Sequence, residues 1–259
     1  GRFVNLAMNS ATAYEQSRIL DLFVRSRPGV RTLVFGIDTV WCDRNRAPAL
    51  YTPRPFPEWL YDDNRWNDFL HLLNGPTLEQ AVRQLQFQLG RREPRYGFDG
   101  YRSFVPPDSE HDLVKVRKKL YGPAGKPVAR NNPPATLSDA ERDDATYVAL
   151  ELIRQRLLGL PKGTRVILWF VPYHNHDIPA PDTKGGRWLR DCKSRVVELA
   201  RALPNAQVVD MMFASPSTTT DTYYWDTLHV TEGFASGLPA LLARTADGED
   251  APDARRLFP

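Results

Sequence analysis

The sequence predicts an α/β fold of three layers (α/β/α), in which a mostly parallel sheet lies between helices and carries a large helical or irregular insertion. Continuous apolar runs at residues 31–37 (RTLVFGI) and 165–171 (RVILWFV) are typical of buried strands. Segments with helical spacing alternate with these runs, which favours parallel strands joined by helices. The 259 residues, 42% of them hydrophobic, suffice for one domain over residues 1–259, with the insertion at about 41–136.

The part before the insertion predicts a strand, a helix and a second strand. Residues 3–8 (FVNLAM) are expected to form the first strand. Thr12 and Glu15 give the capping-box pattern T-x-x-E, which opens a helix that Pro28-Gly29 ends. The apolar run that follows is the second strand.

The insertion is rich in proline, arginine, tryptophan and tyrosine, and it lacks apolar strands. We expect helices near residues 66–73 and 78–89. We also expect the insertion to cross or flank the carboxyl end of the sheet without adding a central strand. Its aromatic residues either pack it against the domain or stack on sugar rings; they are Trp41, Trp59, Trp66 and Tyr61.

Beyond the insertion, strands and helices alternate again. Ser138 and Glu141 form a second capping box, which opens a helix expected to reach about residue 158. The strand at 165–171 follows, then an amphipathic helix at 186–203 and a strand at 206–211. A final helix is expected from about 232 to 242.

Charge and cysteine content exclude several classes of function. The net charge of +3 does not indicate nucleic-acid binding, and we interpret the basic run 115–119 (KVRKK) as a solvated helix face. Cys42 and Cys192 predict neither a disulfide framework nor a metal knuckle. No apolar run is long enough for a membrane helix. The chain begins inside what looks like a longer protein, so a membrane anchor or targeting segment could lie outside it.

Polar side chains follow each predicted strand. In an open parallel sheet, ligands bind beyond the carboxyl ends of the strands. We therefore expect one rim to collect the residues that follow the four strands in turn: Asn9 and Ser10, then Asp38, then His174 and His176, and finally Asp226 and His229. This convergence favours a functional site over scattered surface residues.

Asp226 and His229 are the candidate acid/base pair. A carboxylate three residues before a histidine can accept a hydrogen bond from Nδ1–H, which fixes the tautomer. Nε2 is then free to take a proton from a nucleophile.

The motif Asp226-Thr227-Leu228-His229 matches the D-x-x-H block before the last helix of the SGNH (GDSL-type) hydrolase superfamily, and the chain resembles its bacterial envelope-associated esterase and acyltransferase branches. Residues 5–12 (NLAMNSAT) are similar to the second block, with Ser10 in place of the oxyanion glycine. Residues 35–39 (FGIDT) are similar to the third block, with Asp38 in place of the oxyanion asparagine. The resemblance implies a flavodoxin-like sheet.

The first block of that superfamily, which carries the nucleophilic serine in G-D-S or G-x-S, has no counterpart because the sequence contains no Gly-x-Ser. We expect the serine to lie upstream of Gly1, and the chain alone to be inactive. The resemblance implies a serine esterase or O-acyltransferase acting on acylated carbohydrate or a cell-envelope glycan. It also implies a place in the cell envelope, with a cytoplasmic location left open. The alternative is a non-catalytic carbohydrate-binding or envelope-assembly module on the same fold.

Three rim residues allow more than one interpretation. Ser10 either gives its backbone N–H to an oxyanion, starts a helix without chemistry, or acts as the nucleophile. Asp38 is acceptor-only when ionised, so it binds a substrate hydroxyl or a basic group unless burial protonates it. His174 contacts substrate, shares a metal with His176, or lies in a polar loop. We expect no bound metal, no cofactor and no nucleic-acid partner.

Overall fold

A computed structural model describes residues 3–44, 49–53, 56–94, 97, 101–127, 135–249 and 251–258. Four strands form one sheet in the order β1-β2-β3-β4: β1 (Thr32–Ile37), β2 (Arg165–Phe170), β3 (Ala206–Asp210) and β4 (Arg255–Phe258). The first three are parallel, and β4 runs antiparallel to β3. The predicted mostly parallel sheet is confirmed, and β4 adds an edge strand that the sequence does not predict.

Eight α-helices lie in the described part of the chain. They are α1 (Ala13–Ser26), α2 (Asp68–Leu72), α3 (Gly75–Gln88), α4 (Leu113–Tyr121), α5 (Asp139–Asp143), α6 (Val148–Leu158), α7 (Lys184–Arg201) and α8 (Glu232–Ala246). Both predicted capping boxes are present, at the start of α1 and of α5.

The sheet lies between two helical layers, as the alternation of side chains along β2 shows. Val166, Leu168 and Phe170 pack into a core with α1, α6 and α7. Ile167, on the opposite face, packs into a second core with Leu238 and other residues of α8. Successive side chains of a strand point to opposite faces, so a continuous apolar strand requires cover on both sides. The three-layer α/β/α arrangement follows.

The prediction of a strand at residues 3–8 is wrong. This segment has no strand hydrogen bonds, and Phe3 and Val4 are largely exposed. The backbone N–H of Asn5 donates instead to the Tyr101 hydroxyl, at 2.9 Å. β1 pairs on one side with β2, and its other side has no strand partner in the described part of the chain. An apolar segment becomes a strand only where a neighbouring strand offers hydrogen bonds.

The helix expected from Ser138 to about residue 158 is divided into α5 and α6. The chain turns at residues 144–147, and this turn buries Tyr147. The Tyr147 hydroxyl donates to Asp191 of α7, at 2.7 Å. The break between α5 and α6 lets Tyr147 pack against α7. A single continuous helix over the same residues would not place Tyr147 in this contact.

The insertion contributes helices and no strand within its described residues. The two predicted helices are present as α2 and α3. The basic run at 115–119 is part of α4, and the prediction that it is a solvated face holds only in part. Lys115 is exposed, whereas Val116 is buried and Arg117 pairs with Asp221.

The two cysteines, for which the sequence predicts neither a disulfide framework nor a metal knuckle, form one covalent link in the structure. Cys42 and Cys192 form a disulfide with their Cα atoms 5.5 Å apart. Cys42 ends the short 3-10 helix Thr39–Cys42 that follows β1, and Cys192 is buried in α7. The bond therefore fixes the start of the insertion to the helical layer. Spacing in the sequence could not predict it, because 150 residues separate the partners.

Candidate functional site

The Asp226–His229 pair lies in the loop between β3 and α8, close to the start of α8. An antiparallel bridge between Tyr224 and Val230 closes the loop, and the Trp225 N–H donates to the His229 carbonyl, at 2.7 Å. Thr231 then caps α8 by accepting from the N–H of Phe234. The pair is therefore held between a closed turn and the end of a helix.

The predicted side-chain hydrogen bond between Asp226 and His229 is confirmed. Nδ1 of His229 lies 2.9 Å from Oδ2 and 3.0 Å from Oδ1 of Asp226. An ionised carboxylate only accepts, so Nδ1 carries the proton and neutral His229 keeps a lone pair on Nε2. The His229 side chain is 53% exposed. About half of the side chain is therefore open to solvent.

The Asp226 carboxylate is held by its own turn as well as by the imidazole. Oδ1 accepts from the N–H groups of Leu228, at 2.8 Å, and His229, at 2.9 Å. Burial pushes the pKa of Asp226 upward, but the hydrogen bonds from these N–H groups and from the imidazole outweigh it and leave the pKa below its ordinary value. Asp226 is therefore an ionised acceptor at neutral pH.

The loop is attached to the carboxyl end of β2. The His174 N–H donates to the Thr227 carbonyl, at 2.9 Å, and the Asn175 N–H donates to the Thr218 carbonyl, at 2.7 Å. The residues that follow β2 and those that follow β3 therefore meet at one rim, as expected for parallel neighbours.

His174 is buried, and both of its ring nitrogens have partners within the protein. Its Nδ1 accepts the His176 N–H, at 3.2 Å, so Nε2 carries the proton and donates to Oδ1 of Asp221, at 3.2 Å. Burial lowers the pKa of His174, and the hydrogen bond to Asp221 only partly compensates. Within the described residues, no group of three or more metal-ligating side chains comes together.

Asp221, which lies in the same loop, is the centre of a polar network. Besides His174, its carboxylate accepts from the Tyr121 hydroxyl, at 2.5 Å, and from Nε of Arg117, at 2.7 Å. Burial and the bond to Asp221 raise the pKa of Tyr121. Burial pushes the pKa of Asp221 upward, but its bonds to Tyr121, Arg117 and His174 lower it overall. The positive charge of Arg117 and the negative charge of Asp221 cancel, so the network has no net charge.

Residues 108–121, which we call the clamp segment, hold the loop from the side of the insertion. Asp108 accepts from the N–H groups of Glu232 and Gly233 at the start of α8, at 2.9 and 2.7 Å. His111 Nε2 donates to the Tyr224 carbonyl, at 3.0 Å. With Arg117 and Tyr121, the clamp segment contacts the loop before and after the Asp226–His229 pair.

Ser10 and Asn9 form a turn that leads into α1. Ser10 has a positive φ of 56°, a conformation that favours glycine. Its hydroxyl donates to the Asn9 side chain, at 3.1 Å. Among the described residues, no hydrogen bond joins Ser10 to Asp226 or His229. The structure therefore gives no support to Ser10 as the nucleophile.

Asp38 caps the 3-10 helix that follows β1. Its Oδ1 accepts from the N–H of Val40, at 2.9 Å. Burial raises the pKa of Asp38, although the bonds from Val40 and Trp41 act against this. Burial raises the pKa of Tyr173, which follows β2, and the negative charges of Asp38 and Asp177 raise it further. Asp38 therefore lies near the end of β2, but its carboxylate already has a backbone partner.

The aromatic residues of the insertion divide by environment. Trp41 is buried against Phe35 of β1 and is a core residue. Tyr61 stacks on Phe56, and Trp59 stacks on His71. Trp66 is 85% exposed. Packing thus accounts for Trp41, Trp59 and Tyr61, whereas the face of Trp66 is open.

Comparison with known protein families, curated proteins and solved structures gives no match. None of the helices among the described residues has the length and apolar character needed to cross a membrane.

The sequence predicts the Asp226–His229 pair because the two residues are neighbours in the chain. It does not predict the clamp segment or Asp221, because the hydrogen-bonded partners are about 100 residues apart. Asp108 and His111 have no motif that could have identified them. Only the folded chain brings them to the loop.

Proposed function

We propose that this domain belongs to a serine esterase or O-acyltransferase in which His229 is the general base and acid and Asp226 orients it. The hydrogen bond from His229 Nδ1 to the Asp226 carboxylate carries the proposal. It fixes the tautomer that the chemistry needs, and the exposure of the His229 side chain supports a role in contact with substrate.

In the proposed reaction, a serine hydroxyl attacks an ester carbonyl while His229 Nε2 takes its proton. The imidazolium then gives this proton to the leaving alkoxide, and an acyl-serine remains. Water or a sugar hydroxyl attacks the acyl-serine in the second half, which gives hydrolysis or acyl transfer. Backbone N–H groups, including that of Ser10, are the candidates for stabilising the oxyanion.

The nucleophile in this proposal is a serine upstream of Gly1. Within the described residues, no hydroxyl is hydrogen-bonded to His229 Nε2. The side of β1 that faces away from β2 has no strand partner there, so a strand carrying the serine can pair beside the rim. We propose an acylated carbohydrate or envelope glycan as substrate, by resemblance to the SGNH superfamily. The disulfide supports an oxidising compartment such as the cell envelope.

The alternative is a non-catalytic carbohydrate-binding or assembly module. It is favoured by the absence, among the described residues, of a hydroxyl partner for His229, together with the exposed face of Trp66.

The test is ester turnover by the protein expressed from its complete reading frame. With an activated acetyl ester, His229→Ala should lose about 10³-fold or more in rate, whereas His71→Ala, an exposed histidine of α2, should lose nothing. The 259-residue chain alone should be inactive. If it hydrolyses the ester and Ser10→Ala abolishes the activity, the nucleophile assignment is wrong. Glycan binding without turnover by the complete protein would favour the binding module.

A further inference from the structure

Helix α3 presents an apolar stripe to solvent. Leu78, Val82 and Leu85 of the helix and Leu89 at its C-cap are 46% to 66% exposed. Their spacing of four, three and four residues is the heptad spacing of a helix that packs against another helix. No residue of α3 is buried, so the stripe has no partner among the described residues.

The less exposed residues of α3 lie outside the stripe. Thr77, Arg83 and Phe87 are the α3 residues of intermediate exposure, and none of them belongs to the stripe. The exposed leucine and valine side chains therefore lie together on one side of the helix. Monomeric proteins rarely expose a continuous row of large apolar side chains. Where such a row is exposed, it commonly marks an interaction site.

The residues that flank the stripe fit a second copy of the same helix. These flanking positions are Glu79, Ala81, Gln86 and Gln88. The single charge among them, Glu79, is paired with Arg83 of its own helix, at 2.8 Å. Two copies would meet without like charges facing each other, as a two-fold interface requires. A helix that binds an anionic membrane would instead carry lysine or arginine beside its apolar face.

Three further exposed apolar side chains lie shortly before the stripe in the chain. Phe69, Leu70 and Leu73, in α2 and the link to α3, are 66% to 92% exposed. Seven side chains of this size and exposure offer on the order of 700 Å², close to the ~800 Å² that each partner of a stable dimer covers.

We propose that the protein forms a two-fold homodimer in which the α3 stripes of two copies pack against each other. The proposal is independent of the chemistry assigned to His229. Sedimentation equilibrium over a concentration series tests it with three forms: wild type, Leu78→Glu/Leu85→Glu, and the matched control Gln80→Glu/Gln84→Glu. The control adds the same charge to exposed positions of the same helix outside the stripe.

Wild type and the glutamine control should sediment as dimers, and the leucine variant should have half their mass. A wild type that stays monomeric overturns the proposal, and so does a leucine variant that stays dimeric. A monomer that floats with anionic vesicles and loses this binding in the leucine variant would assign the stripe to a membrane instead. Circular dichroism checks the fold of each variant. If the glutamates unfold the helix, Leu78→Ala/Leu85→Ala should still weaken the dimer at least tenfold.

Discussion

At the scale of single residues, the site rests on two histidines in opposite tautomeric states. His229 donates from Nδ1 to Asp226 and keeps Nε2 as an acceptor. His174 accepts at Nδ1 and donates from Nε2 to Asp221. Both rings meet a carboxylate, but His229 faces solvent and His174 is buried. Environment, and not residue type, therefore separates the histidine that we propose as the general base from the buried one.

Replacing Asp226 with alanine should remove the preference of His229 for the tautomer with the proton on Nδ1. In the wild type, we expect ¹⁵N spectra above the titration range of histidine to show the proton on Nδ1. In Asp226→Ala the imidazole loses this acceptor, so the Nδ1–H population should fall. The amide protons of Leu228 and His229 lose the same acceptor and should exchange faster. A wild-type spectrum with the proton on Nε2 would contradict the assignment.

Replacing His174 should change stability in a pH-dependent way. Burial lowers the pKa of His174 in the folded state, so the unfolded chain binds a proton first as the pH falls. The stability that neutral His174 provides is complete above about pH 6.5 and is lost as the pH falls through the lower folded pKa. At pH 8, His174→Asn should cost about 1–3 kcal/mol in the free energy of unfolding.

The stability difference between wild type and His174→Asn should therefore narrow below pH 6.5, as measured by urea unfolding. His71→Asn serves as the exposed control and should show no such change. A difference that stays constant from pH 8 to pH 5 would show that His174 is not held neutral by burial.

At the scale of elements, a short sequence motif predicts a structure correctly when that structure depends only on contacts between residues close in the chain. The capping boxes of Thr12 and Ser138 predict two helix starts, and both are correct because a cap needs only residues three apart. The strand predicted at 3–8 fails because a strand needs a neighbour. The D-x-x-H turn is predicted for the same reason as the caps, whereas the clamp segment depends on contacts across more than 100 residues.

The clamp segment gives an element-scale prediction at the start of α8. Asp108→Ala removes the acceptor for the N–H groups of Glu232 and Gly233. Loss of such a cap should cost about 0.5–2 kcal/mol, and hydrogen exchange across residues 224–235 should accelerate. Glu110→Ala, a neighbouring exposed acidic residue, is the control. Unchanged exchange in Asp108→Ala would show that the clamp does not hold the loop.

At the scale of the whole molecule, one covalent bond joins distant parts of the chain. The Cys42–Cys192 disulfide links the end of the first parallel strand and the start of the insertion to α7. It closes a long loop, and a crosslink of this kind stabilises mainly by restricting the unfolded chain. The bond lies just after Asp38, so it also supports the rim at the end of β1.

Removing the disulfide should destabilise the whole domain. Cys42→Ser/Cys192→Ser, or reduction of the wild type, should lower the free energy of unfolding by about 2–5 kcal/mol. Urea unfolding with and without reductant measures this difference, and the double variant should not respond to reductant. Two titratable thiols in the denatured, unreduced wild type would show that the bond is not formed.

The most direct test of the acid/base pair is covalent labelling of the complete protein by a fluorophosphonate, which reacts with a serine only when a base activates it. The account predicts labelling of one serine upstream of Gly1, lost in His229→Ala and kept in His71→Ala. Labelling that persists in His229→Ala, or no labelling of the folded wild type, would contradict the role assigned to Asp226 and His229.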